Sequence, residues 1–181
     1  MSPILTDRSF DIITHSAKQT RLIGERLGHL LKPGNVVCLQ GALGTGKTCL
    51  TQGIGAGMDV SGVIHSPTFV FINEYAPQGS GPYLYHVDLY RTQDYTDALA
   101  LGIEDYMYGN GITVIEWAER AEDIMPEERL WVTLSYLDYE SKRRILFEAS
   151  GEAYMEILLS LKEVLWGKRG TGQKREKRAE E

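Results

Sequence analysis

Gly41-Ala42-Leu43-Gly44-Thr45-Gly46-Lys47-Thr48 fits the pattern G-x-x-x-x-G-K-[ST] at every fixed position. Glycines at these places let the backbone curl so that successive N–H groups point inward as an anion nest. Lys47 supplies a point charge for outer phosphates, and the Thr48 hydroxyl suits a hard cation such as Mg²⁺. The motif demands a strand before it and a helix after it. Val36-Val37-Cys38-Leu39 reads as a short buried strand. Residues 46–56 read as a helix, with Gly55 and Gly57 placed to end it.

Upstream, residues 16–31 carry Leu22, Ile23, Leu27, Leu30 and Leu31 at helical spacing. Ser16 is the expected N-cap, and Pro33-Gly34 the stop. Downstream, residues 68–75 and 83–90 read as strands, 94–101 as a short helix, and 112–117 as a third apolar strand. Residues 130–137 and 143–148 alternate as two more strands, and 152–166 close as a helix. Strands alternating with helices predict an α/β fold of the P-loop NTPase type. Its sheet is mainly parallel, flanked by helices, with an antiparallel pair near the C-terminal end.

A phosphate loop works with acids at the carboxyl ends of neighbouring strands. Two are available. Glu116 ends Ile112-Thr113-Val114-Ile115-Glu116, and Asp88 ends Tyr83-Leu84-Tyr85-His86-Val87-Asp88. Strand alternation places His86 and Asp88 on one face. Either acid fits a metal role, and residue type does not choose between them. Thr68, within Ser66-Pro67-Thr68-Phe69, fits a switch hydroxyl near the metal and the γ-phosphate, or simply a Ser-Pro turn opening a strand. Arg91, three residues after Asp88, is either a cationic stabiliser or a surface ion-pair residue. The four histidines show no ligand pairing, and Cys38 and Cys49 read as small buried hydrophobes.

The chain has 181 residues, 43% of them hydrophobic and 24% charged, enough apolar material for one packed domain. Its net charge of −6 divides unevenly. Residues 1–166, the expected P-loop ATPase domain, hold 13 Lys and Arg against 22 Asp and Glu, a balance of −9. Residues 167–181, expected to be a disordered tail, balance to +3. An acidic body is a poor binder of phosphate backbones, which argues against direct nucleic-acid binding by this domain. There is no long apolar stretch for a membrane span or a signal peptide, and two cysteines suit a reducing cytoplasm.

Five stretches occur in order: the glycine loop, Ser66-Pro67-Thr68-Phe69, His86-Val87-Asp88-Leu89-Tyr90-Arg91, Leu101-Gly102-Ile103-Glu104-Asp105-Tyr106, and Val114-Ile115-Glu116-Trp117. Together they resemble the TsaE (YjeE) family of bacterial P-loop ATPases over roughly residues 14–150. The resemblance implies ATP and Mg²⁺ as cofactors and TsaB and TsaD as partners. It implies hydrolysis supporting threonylcarbamoylation of the adenosine next to the tRNA anticodon. It implies that Lys47, Asp88 and Thr68 serve catalysis, that Thr48 and Glu116 hold the metal, and that Thr20, Gly44, Thr45, Gly46, Lys47, Thr48 and Cys49 bind the nucleotide, with Thr20 near the base. The family loop usually reads G-D-L-G-A-G-K-T-T, so Ala42, Thr45 and Cys49 depart from it.

The rival expectation is a small-molecule kinase sharing the phosphate loop. It would need an acceptor pocket and usually an arginine-bearing lid, and Arg91 is the one arginine between Asp88 and Glu116. A GTPase lacks support, because no N/T-K-x-D stretch is present to read guanine.

Overall fold

The computed structural model describes residues 8–137 and 142–167; of the expected basic tail, residues 168–181 lie outside that range. The elements in chain order are β1 (Ser9–Thr14), α1 (Ala17–Gly28), β2 (Val36–Gln40), α2 (Lys47–Gly57), β3 (Ile72–Tyr75) and β4 (Leu84–Asp88). Then follow α3 (Tyr95–Ala100), α4 (Ile103–Met107), β5 (Ile112–Glu116), a 3₁₀ segment (Ala118–Ile124), β6 (Arg129–Tyr136), β7 (Arg143–Ser150) and α5 (Glu152–Trp166).

The seven strands form one sheet in the order β1-β7-β6-β2-β5-β4-β3. β2 pairs in parallel with both β5 and β6, and β4 pairs in parallel with β5. β6–β7 is the antiparallel pair foreseen near the C-terminal end. Two more antiparallel edges, β1 on β7 and β3 on β4, complete the sheet.

β2 shows why the centre reads as an unbroken apolar run. Val37 and Leu39 face a core shared with α1, α2 and α5, while Val36 and Cys38 face a second core with α3 and α4. A strand covered on both faces has no polar side to display. Burial also pushes the Cys38 thiol up to about 12.

Helix α1 starts as its sequence requires. Ser16 accepts a hydrogen bond from Gln19 N, and Gln19 Oε1 accepts one from His15 N, a reciprocal arrangement close to a capping box. The helix ends at Gly28, before the Pro33-Gly34 stop.

Helix α2 ends at Gly57, but neither Gly55 nor Gly57 takes a left-handed terminating conformation. The left-handed position after α2 is taken by Asp59, with φ 54°, and Val60 N donates back to Gly55 O. The glycines of α2 serve packing instead. A Cβ on Gly53 would lie 2.1 Å from Arg21 O, and one on Gly24 of α1 would lie 2.3 Å from Leu50 O. Helices α1 and α2 therefore meet backbone to backbone.

Three further expectations change. Residues 68–71 form a turn, with Val70 N and Phe71 N both donating to Pro67 O, so β3 begins only at Ile72. The strand expected over 83–90 shortens to Leu84–Asp88. Strand β1, helix α4 and the 3₁₀ segment were not foreseen; β1 alternates weakly and needs its pairing with β7 to form.

Candidate nucleotide and metal site

The loop between β2 and α2, Asp88 at the end of β4 and Glu116 at the end of β5 converge at the carboxyl edge of the parallel strands. Gly41 adopts φ 147°, and a Cβ there would stand 2.3 Å from Leu134 O. The loop thus lies against β6 more closely than a side chain permits. Thr45 Oγ1 donates to Ala42 O at 2.8 Å and braces the loop from within. Gly46 is the left-handed N-cap of α2, so the positive end of that helix opens onto the loop.

Lys47 is 4% exposed. Its Nζ donates to Gly41 O at 2.5 Å and Ala42 O at 3.0 Å and lies 3.8 Å from the centroid of the Trp117 ring. Burial lowers its pKa, and Glu116, Glu119 and Asp88 oppose that shift. The ammonium is held in a pocket made for a cation yet only partly compensated.

Thr48 Oγ1 donates to Glu116 Oε2 at 3.0 Å. The other oxygen of that carboxylate, Oε1, lies 2.8 Å from His86 Nε2. Asp88 is the second acid. Its Oδ2 accepts from Thr68 Oγ1 at 2.6 Å and Ser66 Oγ at 2.8 Å, while its Oδ1 accepts from Tyr90 N at 2.9 Å. The two acids are register partners across β4 and β5. Thr68 thus sits in a turn whose hydroxyls fasten onto Asp88.

A cleft of about 450 Å³ opens on the far side of the loop, lined by His15, Ser16, Thr20, Gly44, Cys49 and Arg143 among others. Thr20 reaches it from α1. Its hydroxyl pairs with Thr14 Oγ1 at 2.9 Å, and its methyl faces Gly46. Cys49 is half-buried and donates to Ala17 O at 3.2 Å, so it lines the cleft instead of filling the core. All of the expected site residues therefore surround the loop: Gly44, Thr45, Gly46, Lys47 and Thr48 within it, Asp88, Glu116 and Thr68 on the strand side, Thr20 and Cys49 on the cleft side.

Arg91 is exposed and stacks over Phe69, 5.3 Å from the ring centroid. Arg120 donates to Thr92 O at 2.7 Å and lies over Tyr90 and Trp117. Several contributors escape sequence reasoning. Glu119 accepts from Gly41 N, and its Oε2 is buried with no hydrogen-bond partner; burial raises its pKa, against the pull of Lys47 and Arg120. Tyr136 OH donates to Leu43 O at 2.7 Å, and Arg143 stacks on the Tyr136 ring at 4.3 Å. None of these has a local motif; sheet order and the chain reversal after Trp117 bring them in.

Comparison with known proteins identifies the family. The family model for "Threonylcarbamoyl adenosine biosynthesis protein TsaE" matches residues 14–145. The chain is 37% identical over 141 residues to the Bacillus subtilis tRNA threonylcarbamoyladenosine biosynthesis protein TsaE, covering 78% of this chain and 86% of that one. It is 38% identical over 125 residues to the Treponema pallidum protein of the same name, covering 69% and 90%. The crystal structure of Bacillus subtilis YdiB superposes with a TM-score of 0.74 at 30% identity, covering 87% of this chain and 96% of that one. On the family match and these relatives, the chain belongs to the TsaE family of tRNA threonylcarbamoyladenosine biosynthesis.

Proposed function

We propose that this protein is a Mg²⁺-dependent ATPase whose hydrolysis supports a TsaB–TsaD complex in threonylcarbamoylating the adenosine next to the tRNA anticodon. The observation that carries the proposal is the contact of Thr48 Oγ1 with Glu116 Oε2, 3.0 Å, at the mouth of a complete phosphate loop. A hydroxyl and a carboxylate supply hard oxygen donors. Among the described residues no three His, Cys, Asp or Glu side chains gather as a metal cage. Few protein oxygens, completed by substrate phosphates, is the arrangement that Mg²⁺ prefers over a dedicated protein site. Thr48 and Glu116 would hold the ion, which when bound neutralises charge on the phosphate oxygens.

The chain's own residues do the rest by position. Lys47 exchanges the carbonyls of Gly41 and Ala42 for phosphate oxygens, a favourable trade for a cation held in a partly desolvated site. Asp88, gripped by Ser66, Thr68 and Tyr90 N, is fixed to orient a water for in-line attack. The adenine would occupy the cleft between Thr20 and Arg143. Arg91 lies on Phe69, Arg120 on the Thr92 carbonyl and Arg143 on the Tyr136 ring, so none of the three is aimed at the Lys47 side of the loop. Slow turnover alone and acceleration by partners follow from that arrangement.

An acidic body disfavours direct binding of a phosphate backbone, so on this reading the partners carry the tRNA contact, and the work is done in the cytoplasm, where ATP and tRNA meet. Among the described residues no helix is long and apolar enough to cross a membrane. Phosphate release from Mg·ATP, measured on the chain alone and with the two partners present, tests the proposal. Free phosphate, released at least about 10-fold faster in the assembly, is the expected outcome. A phosphorylated small molecule in place of free phosphate would make the protein a kinase.

A further inference from the structure

His86 is the most enclosed titratable side chain near the site, with no exposed surface. Its Nδ1 is buried and has no hydrogen-bond partner among the described residues, where the contact of Nε2 with Glu116 Oε1, 2.8 Å, is its polar anchor. A carboxylate has nothing to donate, so Nε2 carries the hydrogen of this bond. Register explains the reach. His86 and Asp88 share a face of β4, with Val114 and Glu116 as their partners on β5. The ring stands one pleat behind Asp88 and extends forward to the neighbouring strand.

An apolar side chain would fill this position with less desolvation cost and no orphaned nitrogen. The histidine's distinctive contribution is therefore its bond to Glu116. That carboxylate is clamped from two sides, Oε1 by His86 and Oε2 by Thr48. Without the ring, Oε1 loses its anchor, and rotation about the terminal bond can turn Oε2 away from Thr48.

We propose that His86 is a positioning residue for Glu116, its Nε2–H fixing the carboxylate toward Thr48 and the metal site. The inference rests on the assignment of Glu116 as the metal acid, and it concerns orientation of that acid, not proton transfer. Partners that orient a metal-binding group typically contribute 10- to 100-fold in affinity or activity.

The test is equilibrium binding of a fluorescent, non-hydrolysable ATP analogue to the full chain, titrated with Mg²⁺ and repeated in EDTA. His86→Leu removes the donor. His86→Gln restores an N–H near the position of Nε2. Expected are a rise of about 10-fold or more in the Mg²⁺ needed for half-maximal tightening in His86→Leu, return to within about 3-fold of the parent in His86→Gln, and equal binding of all three in EDTA. A glutamine variant no better than leucine, or losses as large in EDTA as in Mg²⁺, overturns the proposal. If His86→Leu fails to fold, His86→Asn, whose shorter amide falls short of Oε1, takes its place: asparagine impaired beside a competent glutamine supports the proposal, and equal behaviour overturns it. If the parent chain binds the analogue with no Mg²⁺ dependence, the metal assignment of Glu116 fails and this inference falls with it.

Discussion

Lys47 Nζ lies 3.8 Å from the centroid of the Trp117 ring, sandwiched between that indole and the carbonyls of Gly41 and Ala42. Trp117 reaches this place because its backbone is left-handed, φ 60° and ψ 36°, directly after Glu116. That conformation is unfavourable for a bulky residue. One residue of strained chain thus turns the end of β5 from the Glu116 carboxylate to a platform for the loop lysine. Lys47→Ala should lower Mg·ATP hydrolysis at least about 100-fold, the scale of losing a preorganised charge at a developing anion. Circular dichroism should be unchanged, since the lysine anchors no core.

Asp88→Asn should uncouple the Ser66–Phe71 turn from the sheet. Oδ1 accepts from an amide and Oδ2 from two hydroxyls, so an NH₂ in place of Oδ1 meets the Tyr90 N–H, and one in place of Oδ2 forces both hydroxyls to turn from donors into acceptors. Hydrogen exchange over residues 66–71 should speed up, and phosphate release should fall by about 100-fold. Thr68→Val in the asparagine background should add much less than in the parent. Full additivity in that double-mutant cycle would separate Thr68 from Asp88.

Glu119→Gln makes a pH-dependent prediction. Burial raises the Glu119 pKa above its value in the unfolded chain, so the folded state holds the proton more tightly. Raised folded pKa in an acid means a stability penalty that is absent below the normal carboxylate range and grows as pH climbs through the folded pKa. The glutamine variant should therefore unfold at a higher temperature than the parent at pH 7 to 8. The two melting curves should converge near pH 4. A variant less stable at pH 8 would show that the bond from Gly41 N outweighs the burial cost.

Gly53→Ala should destabilise the protein although alanine is the better helix former by about 1 kcal/mol. The new methyl would stand 2.1 Å from Arg21 O and push α1 away from α2. A loss of at least about 2 kcal/mol in urea unfolding is expected, whereas Gly79→Ala, with nothing within 4 Å, should change stability by less than about 0.5 kcal/mol.

Arg143→Ala should weaken ATP binding by roughly 10-fold, a loss on the scale of a cation–π contact, and leave inorganic tripolyphosphate binding unchanged. Arg143 lines the cleft beside Gly44 and stacks on Tyr136, away from the Lys47 side of the loop. Equal losses for both ligands would place its action on the phosphates.

What the sequence disclosed and what it withheld divide along a physical line. The loop, Ser16, Asp88 and Glu116 were legible because each depends on short-range chemistry: a turn that needs glycine, a cap that needs a hydroxyl, an acid that ends an apolar run. His86, Glu119 and Arg143 were not, because their partners stand 30, 78 and 7 residues away across strands or turns. The helical glycines misled for a related reason. Gly55 and Gly57 look like terminators from within α2, and only the fold shows that they make room for neighbours, Gly55 for Ile64 and Leu84 and Gly57 for the backbone of α1 at Glu25. Residues 68–71 carry strand-forming side chains but are bent by hydrogen bonds to Pro67 O.

The backbone contact between α1 and α2 has a mechanical consequence. One helix carries Thr20 at the cleft, and the other begins at the phosphate loop. Main chains that touch at Gly24 and Gly53 leave no side-chain layer to shear, so the two halves of the proposed nucleotide seat behave as one anvil. Any stroke of the proposed hydrolytic cycle then falls to the opposite jaw, the turn that grips Asp88 and the strained step at Trp117.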